Sequence, residues 1–141
     1  MVADALIDAG AMLALLDKRD RWHALCFQEL PRFGLPLVTS EAVLAEVFHL
    51  ARGERRGMEA VWTFVRSGAV RLAEIRDSEL PEFHALMSRY WDRPMDFADA
   101  TLVYLAKRES LSTIFTVDRD DFETYRIEGR RRFRVLPTAR P

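Results

Sequence analysis

The 141-residue chain predicts an α/β fold: a central, mostly parallel sheet of about five strands with helices on both faces. Three observations carry that expectation. Short apolar runs alternate along the whole chain with segments of helical periodicity, the pattern of a sheet wound with helices. No repeat, low-complexity tract or linker interrupts it. Hydrophobic residues make up 49% of the chain, enough at this length to bury a two- or three-layer core, so one domain over residues 1–141 is expected.

The first strand is expected over Val2–Ile7, followed by helices over Ala9–Asp17 and about Arg21–Phe33. Pro36–Thr39 forms a short strand, and Ser40 stands where an N-cap belongs, before a helix running to about Arg52. Gly53 ends that helix, and Val61, Phe64 and Val65 at helical spacing define the next over Glu54–Ser67. Beyond Gly68, the alternation of Val70–Ile75 predicts a half-buried strand. Asp77 or Ser78 then caps a helix in which Pro81 is tolerated within the first turn. Asp96 caps a helix to about Glu109. The strand Thr113–Val117, a turn or hairpin over Arg126–Arg132 around Gly129, and a last strand Phe133–Leu136 complete the order.

Composition narrows the function classes. With a formal net charge of -1 there is no global basic field, so nucleic-acid binding has to rest on local patches. Lys18 and Lys107 are the only lysines among 21 basic residues, a bias that GC-rich coding explains as readily as phosphate recognition. Clusters are more informative. Arg52, Arg55 and Arg56 could hold phosphate or a partner's carboxylates, and Arg130–Arg132 is equally a patch or a solvated turn. Cys26 is the only cysteine, which excludes an intrachain disulfide and a cysteine-rich zinc site and suits the reducing cytoplasm. Asp4 and Asp8 interrupt the N-terminus, and no apolar stretch approaches the roughly 18 residues of a spanning helix. Neither secretion nor membrane insertion is expected.

Four acids stand where a carboxylate is costly without a partner. Asp8 closes Ala5-Leu6-Ile7, and Asp118 follows Thr113–Val117, so both should lie at the carboxyl edge of the sheet, where open α/β folds bind ligands. Glu46 and Asp99 sit inside apolar helical patterns, where a buried charge must be paired or bind metal. An oxygen-only set without histidine or cysteine points to Mg²⁺ or Mn²⁺ over zinc. Asp96 can share a helix face with Asp99, though capping is its simpler role. Asp120 and Asp121 crowd the rim near Asp118, one of them able to touch metal through water, with a polar loop as the simpler account. Glu46-Val47-Phe48-His49 mimics half of a di-iron pair whose second half is missing, which leaves His49 as a polar neighbour or an RNA contact. His23 and His84 fit amphipathic helices. Trp22, Trp62 and Trp91 could stack on bases, but core or interface packing is the commoner use of such rings.

Taken together, Leu6-Ile7-Asp8 with Leu13-Ala14-Leu15-Leu16, Thr39-Ser40-Glu41-Ala42-Val43-Leu44-Ala45-Glu46, Pro94-Met95-Asp96-Phe97-Ala98-Asp99-Ala100, and Thr116-Val117-Asp118-Arg119-Asp120-Asp121-Phe122 resemble the PIN domain family, and within it VapC-type toxins. The pieces occur in family order from Met1 to about Leu136. The resemblance implies a PIN-like three-layer fold and a Mg²⁺- or Mn²⁺-dependent endoribonuclease. It makes Asp8 and Asp99 the principal metal ligands, with Glu46 and Asp118 in support. It also implies an RNA substrate, a small cognate antitoxin and a homodimer. One departure stands out: Ala9-Gly10 replaces the Thr or Ser that many relatives carry just after the first Asp. A compact backbone turn is expected to substitute for the missing hydroxyl.

A PIN-type nuclease of RNA maturation, without an antitoxin, is the nearest alternative. A receiver-type phosphoacceptor switch also uses Mg²⁺ and carboxylates on a wound sheet, but it needs clustered acids at the first strand's end and a lysine after the last core strand. Here Ala9 follows Asp8, and Lys18 and Lys107 are misplaced. A catalytically silent binding module leaves four apolar-flanked acids without a purpose.

Overall fold

The computed structural model describes residues 5–141. Five strands, β1 (Leu6–Ile7), β2 (Leu37–Thr39), β3 (Val70–Leu72), β4 (Thr113–Phe115) and β5 (Arg134–Leu136), form one sheet in the order β3-β2-β1-β4-β5. Each neighbouring pair is parallel. Parallel neighbours cannot be joined by tight turns, and seven helices intervene: α1 (Ala9–Leu16), α2 (His23–Glu29), α3 (Glu41–Ala51), α4 (Arg55–Arg66), α5 (Leu80–Arg89), α6 (Phe97–Arg108) and α7 (Arg119–Thr124). This is the α/β architecture that the alternating sequence pattern predicts. Among the described residues no helix is long and apolar enough to cross a membrane.

Successive strand residues point to opposite faces, so consecutive buried residues mean that both faces are covered. In β1, Leu6 and Ile7 are fully buried, and so are Ile114 and Phe115 in β4. Both strands lie at the centre, joined in register by Leu6 to Ile114 and Ile7 to Phe115. Phe33 stacks on Phe115 with ring centroids 4.6 Å apart, extending the core under the sheet. The edges are more polar. β3 exposes Arg71, which reaches Glu109 at 3.1 Å, and Leu72 beside it is exposed as well. The strand expected over Val70–Ile75 is three residues long, matching the three residues of β2 with which it pairs.

The remaining differences have local causes. Of the first expected strand, Val2–Asp4 lie outside the described residues. The second helix stops at Glu29 and tightens into a 3₁₀ turn at Leu30–Arg32, because Pro31 has no N–H to continue the helical ladder. Neither Asp77 nor Ser78 caps α5. They belong to a 3₁₀ turn, Asp77–Glu79, in which the Glu79 carboxylate accepts from the Arg76 backbone N–H at 2.9 Å. Pro81 does fall in the first turn of α5. Ser40 and Asp96 are the caps expected of them, accepting from Val43 N–H at 3.2 Å and Asp99 N–H at 2.7 Å. Gly68 leaves α4 with φ +91°, a left-handed turn that costs glycine little. The polar loop expected after Asp118 is instead α7, held to the core by buried Phe122 and followed by buried Tyr125.

Candidate active site

The strand order reverses direction between β1 and β4: the chain proceeds from β1 to β2 on one side and later places β4 on the other. In wound sheets the crevice beyond the carboxyl ends of such a pair is where ligands bind. Asp8 leaves β1 at this point, and Thr116, Val117 and Asp118 leave β4 beside it. A cleft of about 400 Å³ opens there, and its walls include Asp8, Glu46, Asp96, Asp99, Asp118 and Asp121. All four acids singled out in the sequence thus face one cavity, delivered by β1, α3, α6 and the β4–α7 junction.

Their environments differ, and the expectation of general burial needs correcting. Only Asp8 is buried; Glu46 and Asp99 are half-buried and Asp118 is exposed. The cleft is open enough to wet three of the carboxylates. Asp8 caps α1, with Oδ1 accepting from Ala11 N–H at 2.9 Å, while Oδ2 accepts a short hydrogen bond from the Thr116 hydroxyl. Thr116 Oγ1 in turn accepts from Asp118 N–H at 2.9 Å. One hydroxyl therefore joins two of the acids, while the Ala11 amide holds the other oxygen of Asp8. Gly10 serves the same junction by its smallness. A Cβ on it would lie 2.7 Å from Val117 Cγ2, too close without movement of one element.

Asp99 stands in the first turn of α6, where the helix N-terminus favours an anion, and its Oδ2 accepts from the Tyr125 hydroxyl at 3.1 Å. Even so, burial, followed by the neighbouring Asp96 charge, raises the Asp99 carboxyl to about 8. Burial raises Asp8 to about 6 against the opposing hydrogen bonds from Thr116 and Ala11. Glu46 is raised by partial desolvation and by Asp96, and the Asp118 carboxyl, though its residue is exposed, by partial desolvation within the cleft and then by the close Asp121 carboxyl. Upward shifts of several acids in one cleft are the mark of a site short of positive charge.

The donor chemistry fits a hard divalent cation. Asp99, Asp118 and Asp121 each present an oxygen, and these three atoms lie within 4.8 Å of one another. No histidine or cysteine lines the cleft. Asp121 enters this set from α7, where the sequence pattern predicts a polar loop. Its three-residue spacing from Asp118, with Phe122 and Tyr125 as apolar partners one turn on, is the available signal. Thr116, Tyr125 and Arg93 were also missed. Arg93 contacts Asp121 Oδ1 from Nε at 3.0 Å and Nη2 at 2.9 Å, and nothing in the local sequence pairs these two residues.

Other singled-out residues lie elsewhere. Arg52 and Arg56 line a neighbouring groove between α1, α3 and α4. Arg130–Arg132 occupy an exposed turn closed by an antiparallel bridge between Arg126 and Arg132. His49 is exposed, and His23 Nδ1 is 2.7 Å from the Ala14 carbonyl. Trp22 is buried, and Trp62 packs on Phe48 at 4.8 Å between centroids.

Comparison with known proteins sets this geometry in context. The PIN domain family model matches residues 5–128. Ribonuclease VapC26 of Mycobacterium tuberculosis (strain ATCC 25618 / H37Rv) is 33% identical over 135 residues, which cover 94% of this chain and 99% of that protein. Among solved structures, Mycobacterium tuberculosis VapC20, described as a Sarcin-Ricin loop cleaving toxin, superposes with a TM-score of 0.72 at 21% identity, covering 84% of this chain and 91% of that one. At that identity the likeness speaks for the fold alone.

Proposed function

The chain belongs to the PIN domain family, and from that premise we propose that it is a Mg²⁺- or Mn²⁺-dependent endoribonuclease acting in the cytoplasm as the toxin of a toxin–antitoxin pair. The observation that carries the reading is the convergence of Asp8, Glu46, Asp99 and Asp118, with Asp121, on one open cleft at the switch point of the sheet. A bound Mg²⁺ or Mn²⁺ supplies there a water of lowered pKa and charge compensation for the phosphate oxygens. Asp8, Asp99, Glu46 and Asp118 would hold it, with Asp121 adding a further carboxylate beside Asp99 and Asp118. Thr116 fixes the Asp8 and Asp118 geometry, while Tyr125 orients Asp99. The openness of the cleft suits a polymer substrate over a small enclosed molecule.

The antitoxin reading draws on the groove of about 640 Å³ beside the cleft. Leu13, Leu16, Leu50, Ala51, Ala60 and Val61 give it an apolar floor, with Lys18, Arg19, Arg52, Glu54 and Arg56 at its rim. An amphipathic helix is the partner such a surface fits. Leu50 lines both groove and acid cleft, so an occupant would border the acids and could close them off. A homodimer completes the proposed assembly, to be checked by light scattering.

Purified protein should cleave single-stranded or looped RNA with Mg²⁺ or Mn²⁺ and stop when EDTA is added. Cleavage that persists in EDTA would remove the metal from the mechanism. Expression of the chain should slow growth, with relief by a small protein encoded next to it. An active nuclease without effect on growth would favour the RNA-maturation alternative.

A further inference from the structure

Between α5 and α6 the chain runs from Tyr90 to Asp96 as a strap tied to the acid cleft at several points. Tyr90 packs edge-on against Tyr125 at 5.1 Å, and its hydroxyl accepts from Arg126 N–H at 2.9 Å. Arg93 grips Asp121, Pro94 lines the cleft, Met95 is buried, and Asp96 caps α6. From this fastened strap Trp91 stands in solvent at 80% exposure, the highest among the large exposed apolar side chains. An indole offers one of the largest apolar surfaces of any side chain, and here the fold makes almost no use of it. The anchors on either side keep the strap itself in place.

Arg93, two residues on, is about half exposed. Among the described residues both polar contacts of its guanidinium fall on the single atom Asp121 Oδ1, which leaves Nη1 for a second anion. An aromatic face and a planar guanidinium on one short strap are complementary to the two parts of a nucleotide, because any base stacks on an indole and a guanidinium pairs with phosphate. The neighbouring carboxylates disfavour a second acidic partner and favour a ligand that enters with a cation.

We propose that the Tyr90–Asp96 strap is a nucleotide subsite, in which Trp91 stacks on an unpaired base flanking the scissile bond and Arg93 contacts the adjoining phosphate. The inference rests on the ribonuclease reading and deepens it: the substrate must be single-stranded beside the cut, with a base free to leave its helix. Sequence tolerance at that nucleotide follows, since stacking does not discriminate strongly among bases.

The test compares wild type, Trp91→Ala and Trp91→Phe on a looped RNA carrying either an intact or an abasic nucleotide beside the cut. On intact RNA, Trp91→Ala should raise KM roughly 5- to 100-fold with kcat nearly unchanged, and Trp91→Phe should recover most of the loss. On abasic RNA, wild type should be as poor as Trp91→Ala, and the substitution should cost nothing further. A wild-type KM for Trp91→Ala, or a penalty of the same size on abasic RNA, overturns the subsite. So does a penalty that comes with a changed oligomeric state, which would assign the indole to a protein contact. In parallel, short single-stranded RNA should quench the tryptophan fluorescence of Asp99→Asn, and most of that quench should vanish in Asp99→Asn/Trp91→Phe. If wild type cleaves no RNA at all, the ribonuclease reading fails, and the quench titration still decides the subsite.

Discussion

At the scale of single residues, Asp8 and Asp99 are the acids whose loss should be most costly. Asp8→Asn and Asp99→Asn are each expected to abolish cleavage while far-UV circular dichroism stays native. Thr116 has a different signature, because its hydroxyl serves Asp8 and the Asp118 amide together. Thr116→Val leaves both partners unsatisfied and should cost roughly 1–3 kcal/mol of stability in chemical denaturation and weaken Mn²⁺ binding. Thr116→Ser should retain most of both. Asp8 was legible in the sequence because an acid that follows an apolar run is conspicuous. Thr116 was not, since a threonine at a strand end is ordinary and its partner lies 108 residues away. The pairing of Arg93 with Asp121 was invisible for the same reason.

Among the elements, caps and close approaches decide where the acids point. Ser40 accepts from Val43 N–H and lies 2.7 Å from Thr101 Oγ1. Thr101 gives its own proton to the Ala98 carbonyl at 2.6 Å, so Ser40 is the donor between the two hydroxyls and ties α3, with Glu46, to α6, with Asp99. Ser40→Ala should therefore cost about 1–2 kcal/mol and lower the melting temperature accordingly. Gly10→Ala drives a methyl against Val117 and should cost roughly 1–3 kcal/mol together with activity. Gly10→Ala/Val117→Ala should recover both if the clash is the cause, and a double variant no better than the single would locate the fault elsewhere. Periodicity foresaw most helices to within a few residues, and the caps Ser40 and Asp96 outright. It missed α7, whose six residues carry four charged side chains and whose helicity comes from burying Phe122 against the core. With that helix went the role of Asp121.

For the whole molecule, like charges in one cleft set the response to pH and metal. The carboxyl groups of Asp99 and Asp8, raised to about 8 and about 6, bind protons more tightly in the folded chain than in the unfolded one. The stability this contributes is fully present below the ordinary carboxylate value of about 4 and is lost as pH rises through the folded values. In EDTA, melting temperature should accordingly fall between about pH 4 and pH 8. Asp99→Asn should flatten that fall and melt higher than wild type at neutral pH, and a lower melt would make Asp99 a structural residue. Mn²⁺ at about 100 times its dissociation constant should stabilise wild type by about 2.7 kcal/mol, most of it absent in the variant. The sheet order was beyond the reach of sequence patterns, because nothing local to β1 or β4 says that they are neighbours. That adjacency has a temporal side: a ribosome extrudes Asp8 with the first strand and Thr116 and Asp118 only after the fourth, so an unfinished polypeptide owns no assembled cleft. For a chain that cuts RNA, the transcript being translated is spared by its own product until the fourth strand and Asp118 have emerged.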